Sequence, residues 1–364
     1  MKIAFLTTWE IRCGIAEYSA HFCKALAKQG DDIEVVELPP AMSREEAGDI
    51  AARMNDADVA HIQHEFSFFG RVSLGELLQR LKIPSVMTIH EFPKVESSLS
   101  NPLGKIKQFF HLSLIRRYFR IPNRLVFRFI VHSDYSKTIQ THFGTPAEKI
   151  VVFPHPVPER EKTPDGKNTR AKFALGEKVV LTIFGFVNNR KGYEIALEAL
   201  AYLPSNYVLL IAGGAHPRDR SGYEPALRKK VESLGCASRV IITDFVERDD
   251  LPGVMDATDL VLTPFLEMSN SGSLSVAIGY GKAVVASDLP PNRELYENGK
   301  CIEMFKTGSS RDLARAITHL IETPGARTAL EERAAGYAKD YSYLKTAGVL
   351  QGIYEDALGE RDRR

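Results

Sequence analysis

Residues 262–288, LTPFLEMSNSGSLSVAIGYGKAVVASD, decide the fold of this chain. An apolar run at 260–264 ends in a proline, and a polar loop of small residues follows at 267–273. Apolar residues then recur at helical spacing until two glycines interrupt the pattern. The run 283–286 is again apolar, as in a parallel strand that is covered on both faces. The stretch therefore predicts a strand, a loop, a short helix and a second strand.

Three small residues stand where that helix would begin: Ser271, Gly272 and Ser273. A helix start presents free backbone N–H groups and the positive end of the helix dipole, and this geometry binds phosphate. Serine is a good cap, and glycine lets an anion approach the backbone. An ordinary capped helix would carry the same residues, so the rest of the chain has to decide between the two.

Length and composition limit the function classes. The chain has 364 residues, which suits two domains at roughly 100–200 residues each. Its net charge of +1 gives no general attraction to nucleic acid, so we expect no such partner. Four scattered cysteines without a C-x-x-C pair argue against a disulfide framework or a zinc site and suit a reducing cytosol. Because no run approaches the ~20 apolar residues of a spanning helix, we expect a cytoplasmic protein.

The first half reads as a parallel α/β unit. Residues 2–7, 15–28 and 33–38 predict a strand, a helix and a strand in βαβ order. The loop before the helix holds Gly14 alone and lacks the G-x-G-x-x-G of a dinucleotide site, which disfavours a nicotinamide or flavin enzyme. Gly14 lets a phosphate or sugar approach, or simply starts the helix; both interpretations stay open.

Two further predicted strands, 58–65 and 84–91, both end in His-Glu. The carboxyl ends of parallel strands share one edge of a sheet, where ligands bind. Four side chains are therefore expected at one edge: His64, Glu65, His90 and Glu91. A structural role for the histidines and a catalytic or sugar-binding role are equal alternatives. Metal binding is disfavoured because His61 and His64, three residues apart, face opposite sides of a strand.

The segment 105–128 mixes lysines and arginines with aromatic and aliphatic residues, and it contains no acid. Such a segment suits a helix that lies on an anionic membrane surface, or one that meets an anionic acceptor. An ordinary amphipathic surface helix has the same pattern. Ile121-Pro122-Asn123 is expected to break the segment in two.

The second half begins after a polar, proline-rich linker at 154–172. Residues 179–184 predict a strand, and the following loop, 185–192, carries Arg190 and Lys191. Two adjacent cations at a carboxyl edge neutralise a diphosphate without a metal, or they are two solvated surface charges. The strand at 207–212 adds a glycine pair to the same edge, and this combination favours a phosphorylated ligand.

Taken together, the motifs resemble a known family: the retaining glycosyltransferases of the GT-B fold, family 4-like or group 1. The resemblance covers nearly the whole chain. It rests on the Gly14 loop, PHPV at 154–157, the loop ending in Lys191-Gly192, DFV at 244–246 and GKAVVASD at 281–288. The resemblance implies an α/β fold of two Rossmann-like domains facing across a cleft. We expect the acceptor domain at 1–160, the nucleotide-sugar donor domain at 161–340, and a C-terminal helix at 341–364 that crosses back to the first domain.

The resemblance also implies roles for residues. Arg190, Lys191 and the helix-start amides would stabilise the departing diphosphate, Glu267 would hold sugar hydroxyls, and His90 would lie near the anomeric carbon. The Val246 backbone would meet the base, and Glu294 would touch the ribose or brace a helix. The catalytic candidates are His90, Glu267, Arg190 and Lys191. The donor-binding candidates are Gly14, Val246, Ser271, Gly272, Ser273, Leu274 and Glu294, and the acceptor-side candidates are His64, Glu65 and Glu91. No metal, and no cofactor besides the nucleotide-diphosphate sugar, is expected.

Two positions depart from the family pattern. The family usually has an E-x7-E pair here; Glu267 fills the first position, and the second falls at about Val276. The arginine usual after the first glycine of the donor loop is Phe186.

Two hypotheses follow. The first is a hexosyltransferase of the EC 2.4 class. It would move a mannosyl or glucosyl group, with retention, from a UDP- or GDP-sugar to a glycan or lipid-linked acceptor, with peripheral contact to the inner face of the membrane through 105–128. The second, motivated by the missing glutamate, is a catalytically inactive sugar-nucleotide-binding regulator or scaffold. An epimerase or phosphorylase on the same fold ranks last.

Overall fold

The computed structural model describes residues 1–11, 13–69, 73–93, 102–160, 166–216, 219–268 and 270–363, without the side chains of 102–108 and 166–167. Lys105 and Lys107 of the predicted basic segment therefore lie outside the described side chains. The chain forms two compact units, Met1–His155 with Tyr343–Arg364, and Pro156–Ser342.

The first unit is a parallel sheet between helices. Its strands are β1 (Lys2–Thr7), β2 (Asp32–Glu37), β3 (Val59–His64), β4 (Ser85–Ile89), β5 (Arg128–Val131) and β6 (Ile150–Val152). They are parallel and lie in the order β2-β1-β3-β4-β5-β6. Its first five helices are α1 (Gly14–Lys28), α2 (Arg44–Met54), α3 (Ser73–Arg80), α4 (Pro102–Leu125) and α5 (Asp134–His142).

Both faces of this sheet are covered, which explains why its strands read as apolar runs. Along β1, Ile3 and Phe5 pack with Phe22 of α1, whereas Ala4 and Leu6 enter the core on the other face. Because side chains alternate along a strand, successive residues of β1 enter two different apolar cores, one on each face of the sheet.

The second unit repeats this architecture. Its strands are β7 (Val179–Phe184), β8 (Tyr207–Ala212), β9 (Val240–Ile242), β10 (Leu260–Thr263), β11 (Val284–Ser287) and β12 (Glu303–Phe305). They are parallel, in the order β12-β11-β10-β7-β8-β9. Its helices are α6 (Gly166–Lys172), α7 (Tyr193–Ala199), α8 (Tyr223–Ser233), α9 (Leu251–Ala257), α10 (Gly272–Gly279), α11 (Pro290–Gly299), α12 (Ser310–Glu322) and α13 (Ala326–Asp340). The predicted α/β fold with a parallel sheet in each half is confirmed.

The last helix, α14 (Tyr343–Arg361), belongs to the first unit. It packs on α1, and the Tyr354 hydroxyl lies 2.5 Å from Nδ1 of His61 in β3. The other ring nitrogen of His61 lies 2.8 Å from the Thr88 hydroxyl. This buried hydrogen-bonded chain ties the end of the polypeptide to the first sheet.

The expected break at 121–123 is wrong, because α4 continues through Pro122 to Leu125. Burial of Phe119 and Pro122 against the sheet outweighs the helix-breaking tendency of proline. The Lys149 ammonium satisfies the carbonyls at the end of the helix by donating to Asn123 O and Val126 O, each at 2.8 Å. Among the described helices, none is long and apolar enough to cross a membrane.

The linker is also shorter than expected, since α6 occupies its last seven residues. The Arg170 guanidinium donates to the carbonyls of Gly176 and Lys178 and pairs with Asp259 at 3.0 Å. These contacts, which lie far apart in sequence, fix a polar helix that composition alone predicts as a loop.

Candidate active site

In the second sheet the order in which strands are added reverses between β7 and β10. The chain runs from β7 through β8 to β9 on one side and then places β10 on the other side of β7. Ligands of open α/β sheets bind at the carboxyl edge of such a switch point. The loops that follow these two strands, 185–192 and 264–271, therefore start side by side.

These two loops pack tightly against each other. The Leu266 N–H donates to the Arg190 carbonyl at 2.8 Å. Gly192 has φ +65°, and a methyl group there would lie 2.0 Å from Pro264 O. A side chain at Gly192 is excluded both by its backbone conformation and by this contact. The local fold therefore fixes the residue beside it, Lys191.

The Lys191 side chain points back over its own loop toward the helix start. Its Nζ donates to Phe184 O at 2.6 Å and lies 5.6 Å from the centre of the Phe265 ring. A methyl group at Gly185, where φ is +93°, would lie 2.9 Å from this Nζ and 3.8 Å from Ser273 Cβ. Lys191 and Ser273 therefore border the same space above Gly185. The structure brings the predicted cation and the serine turn together.

The protonated, charged form of Lys191 is disfavoured by its surroundings. Burial, and then the neighbouring Arg190 charge, lower the pKa of Lys191 from 10.5 to about 7. A dianionic group above Gly185 would favour the ammonium form, because an opposite charge within a few ångströms raises the pKa of a lysine.

Ser271 caps α10 as predicted. Its hydroxyl accepts the Leu274 N–H at 3.2 Å and lies 3.1 Å from the Ser273 hydroxyl. The expectation that the Leu274 amide faces a ligand is therefore corrected, because the cap uses that N–H. The first-turn N–H groups of Gly272 and Ser273 have no partner within the helix and could donate to a bound anion. Apart from the adjoining residues and the backbone of α10 itself, no described atom lies within 4 Å of where a methyl group at Gly272 would stand.

Arg190 differs from its neighbour in exposure. Its side chain lies at the surface, while its backbone N–H donates to Asn188 Oδ1 at 3.0 Å. Its position is set by the short 3-10 turn Asn189–Lys191, and its charge acts on Lys191.

An aromatic cluster replaces the family arginine. The ring of Phe186 lies 4.8 Å from His216 and 5.8 Å from Phe245. Next to Phe245 and Val246 opens a cavity of about 440 Å³, whose walls include Thr169 and Phe173. Sequence reasoning missed this cluster because its members follow three different strands. The one signal in the sequence was an aromatic residue directly after the loop glycine.

The two candidate carboxylates of this unit, Glu267 and Glu294, lie at intermediate exposure. Glu267 follows β10 on the loop toward Ser271, and Glu294 lies in α11, which follows β11. Val276, at the place of the family's second glutamate, packs against the apolar core around α10. The missing carboxylate is thus replaced by a residue that contributes to the core.

In the first sheet the order in which strands are added reverses between β1 and β3, because β2 lies on one side of β1 and β3 on the other. Gly14, the first residue of α1, follows β1 at this edge. Apart from the adjoining residues and the backbone of α1 itself, no described atom comes within 4 Å of a methyl group built on Gly14. The space beside it is open, as its suggested role in ligand approach requires.

His90 follows β4 at the same edge and is 7% exposed. Its Nε2 lies 2.7 Å from Gln63 Oε1, and the Tyr18 ring meets its ring edge-on at 4.7 Å. Burial, followed by the imidazoles of His132 and His155, holds the pKa of His90 well below its usual value. His90 is therefore a neutral imidazole.

His64 ends β3 at the edge where His90 follows β4, but its side chain lies on the opposite face of the sheet. It is fully buried, its Nε2 lies 2.8 Å from the Tyr118 hydroxyl of α4, and its ring stacks on Phe69. Burial lowers the pKa of His64 to about 3. The alternation of side chains along β3 and β4 separates the two histidines. Glu65 accepts the Ser67 N–H at 3.0 Å, and Glu91 is half-buried beyond His90.

Two family models match the chain. The one described as "Glycosyl transferases group 1" matches residues 165–337, and "Glycosyltransferase Family 4" matches residues 47–161. Between 47 and 337 the two leave only 162–164 unmatched.

Curated relatives share modest identity with the chain. A D-inositol 3-phosphate glycosyltransferase of Rhodococcus jostii is 28% identical over 233 residues, which are 62% of this chain and 51% of the relative. An alpha-D-kanosaminyltransferase of Streptomyces kanamyceticus is 25% identical over 219 residues, 58% of this chain and 55% of the relative. The chain thus spans about half the length of the curated relatives it matches.

Solved structures resemble the chain over its whole length. The Anabaena protein Alr3699/HepE, solved with UDP and glucose, superposes with a TM-score of 0.80 at 20% identity, covering 98% of this chain and all of the other. WaaG, a glycosyltransferase involved in lipopolysaccharide biosynthesis, superposes with a TM-score of 0.63 at 19% identity, covering 98% of each chain. These structural likenesses show the GT-B fold, and the two family models, which together match most of the chain, show that it belongs to the family 4-like, group 1 glycosyltransferases.

Proposed function

We propose that the chain transfers a hexosyl group from a nucleotide-diphosphate sugar to a hydroxylated acceptor. The observation that carries this proposal is the shared space above Gly185, which Lys191 and Ser273 border. A cation on one side and helix-start amides on the other are the groups that bind a phosphate. Family membership supports the transfer chemistry.

The hard step is departure of the diphosphate, because negative charge grows on its oxygens as the glycosidic bond breaks. Lys191 and the amides of Gly272 and Ser273 would stabilise that charge, with Arg190 contributing from the surface of the same loop. Glu267 would hold sugar hydroxyls, and neutral His90 would orient the sugar or the acceptor. The leaving phosphate would take the acceptor proton, so no protein base is assigned. Retention at the anomeric carbon and independence from metal are parts of the same proposal.

UDP is the first nucleotide to test. The Anabaena neighbour was solved with UDP, and Phe245 offers a ring beside Val246 on which a base would stack. GDP-sugars stay in the test panel. The proposed acceptor is a glycan. If the protein contacts a membrane, a glycan linked to a lipid becomes the favoured form of that acceptor.

The direct test is turnover with UDP- and GDP-linked glucose and mannose, followed by NMR of the product's anomeric proton. We expect transfer or slow hydrolysis from one of these donors, with retained configuration. Binding of a nucleotide sugar without any turnover would favour an inactive regulator instead. The inactive-regulator alternative is supported by Val276, which packs against the core at the position of the family's second glutamate.

Affinity for UDP should fall as pH rises. In the ligand-free protein the pKa of Lys191 is lowered to about 7, whereas binding a diphosphate needs the ammonium form. Below pH 7 the charge is present; above it, each pH unit should cost about tenfold in affinity until the pKa of the complex is reached. Calorimetric titration with UDP from pH 6 to pH 9 measures this slope. The Lys191→Ala variant serves as control and should give a flat profile over the alkaline half.

The exposed face of α4 is proposed to contact an anionic membrane surface. Phe109, Phe110 and Leu114 are 59% to 67% exposed, next to exposed arginines at 116, 117, 120 and 124. A basic face beside exposed apolar side chains suits the interface of an anionic bilayer, where each arginine contributes about 1 kcal/mol.

The protein should therefore sediment with phosphatidylglycerol vesicles at low salt and stay in solution near 0.5 M salt. At that salt concentration the Debye length is roughly half its value at physiological ionic strength, so charge attraction is screened. Phosphatidylcholine vesicles are the control. Binding that ignores salt, or no binding to either lipid, would leave α4 as an ordinary surface helix.

A further inference from the structure

Among the residues that the structure describes, five buried polar atoms of the first unit lack a hydrogen-bond partner, and three of them lie together: the Tyr18 hydroxyl, Gln63 Nε2 and His132 Nε2. The exposed fractions of these residues are 2%, 0% and 7%. Leaving a buried polar atom unsatisfied destabilises a protein, and native proteins keep few such atoms. Three of them in one place therefore need an explanation.

All three surround His90. Gln63 Oε1 lies 2.7 Å from His90 Nε2, the Tyr18 ring packs against the His90 ring at 4.7 Å, and the centre of the His132 ring is 6.0 Å away. Gln63, His90 and His132 end or follow β3, β4 and β5, on the face of the sheet that α1 covers. Tyr18 lies in the second turn of α1. The unsatisfied atoms therefore gather at the carboxyl edge, where ligands of parallel sheets bind.

The hydrogen-bonding character of each atom can be assigned. His132 Nδ1 lies 3.2 Å from Phe153 O, which only accepts, so Nδ1 carries the proton and Nε2 presents a lone pair. Gln63 uses its oxygen for His90, which leaves the two N–H groups of Nε2 as donors. The Tyr18 hydroxyl both donates and accepts.

The Thr88 hydroxyl lies near the Tyr18 hydroxyl, but in the described structure the two are not within hydrogen-bond distance. Burial raises the pKa of Tyr18 well above its usual value, whereas the Thr88 hydroxyl acts to lower it. That hydroxyl lies 2.8 Å from His61 Nε2.

An acceptor, a donor and a group that is both are complementary to neighbouring hydroxyl groups. An anion would face the lone pair of His132, and a cation would face the N–H groups of Gln63. We propose that Tyr18, Gln63 and His132 form a subsite beside His90 for adjacent hydroxyls of a sugar or cyclitol ring. This inference rests on the proposed function and deepens it. The hydroxyls belong either to the hexose of the donor or to the acceptor, and the experiment separates the two.

The test compares two matched variants, Tyr18→Phe and Tyr354→Phe. Both remove one buried hydroxyl from the same unit and keep the ring. The Tyr354 hydroxyl lies 2.5 Å from His61 Nδ1, whereas the Tyr18 hydroxyl is within hydrogen-bond distance of no partner among the described residues. Without ligand, Tyr18→Phe should melt at or above the wild-type temperature, and Tyr354→Phe should melt below it.

Binding then identifies the source of the hydroxyls. If the donor supplies them, Tyr18→Phe should lose about tenfold in affinity for UDP-glucose and nothing for UDP. If the acceptor supplies them, it should lose about tenfold for myo-inositol or methyl α-glucoside, measured by saturation-transfer NMR without nucleotide. Tyr354→Phe should change neither affinity.

A lower melting temperature for Tyr18→Phe would overturn the subsite, because it would show that a protein group or an internal water already satisfies the hydroxyl. Unchanged affinity for all four probes would overturn it as well. Wild-type protein that neither binds UDP-glucose nor transfers glucose would instead contradict the proposed function, while the polyol and melting measurements would still judge the subsite.

Discussion

Lys191→Ala should lower turnover by roughly 100- to 1000-fold, the loss expected when one preorganised donor to a developing charge is removed. The ammonium is held by Phe184 O at 2.6 Å and borders the same space as Ser273. Its partial burial makes it more effective toward a phosphate than a solvated lysine, because water does not screen the interaction. Steady-state kinetics with the active donor measures the effect.

Two controls accompany this variant. Arg190→Ala removes an exposed charge from the same loop and should cost no more than about tenfold, since a solvated cation is screened. The melting temperature of Lys191→Ala should stay close to that of the wild type, because burial already disfavours the charged form of this lysine. A variant that folds and keeps more than a third of wild-type turnover would contradict the role assigned to Lys191.

Ser273→Pro should cost a similar factor, roughly 100- to 1000-fold in turnover, by deleting one helix-start amide. Proline is tolerated in the first turn of a helix, and Gly272 before it has no Cβ to clash with the ring. The helix α10 should therefore survive while the first-turn N–H of Ser273 is lost. Circular dichroism and turnover together measure these two effects.

Ser273→Ala is the matched control, because it keeps the amide and removes the hydroxyl that lies 3.1 Å from Ser271. We expect it to retain turnover within about tenfold, the value of one neutral hydrogen bond. Equal losses in the proline and alanine variants would assign the effect to the hydroxyl and would contradict amide binding of the phosphate.

The sequence predicted the elements whose residues alone determine them. The strands at 2–7, 179–184 and 207–212 coincide with β1, β7 and β8, because continuous buried apolar runs have few alternatives. The serine cap of α10 was equally predictable, since Ser271 acts on an amide three residues away. Local chemistry was sufficient in both cases.

Tertiary contacts decided the rest. Pro122 stays inside α4 because the helix face it belongs to is buried, and α6 forms in a polar linker because Arg170 reaches Asp259. His64 and His90 end similar sequence motifs, yet the alternation along their strands places them on opposite faces of one sheet. The cluster of Tyr18, Gln63 and His132 joins three separate segments, so no local pattern could predict it.

The central claim is that the second unit binds a diphosphate through Lys191 and helix-start amides without a divalent cation. The most direct measurement is calorimetric titration of wild type and Lys191→Ala with UDP and UMP in EDTA. Wild type should prefer UDP over UMP by about tenfold to a hundredfold, and Lys191→Ala should lose most of that preference. Equal wild-type affinities for UDP and UMP, or a preference that arises only when Mg²⁺ is added, would contradict the claim.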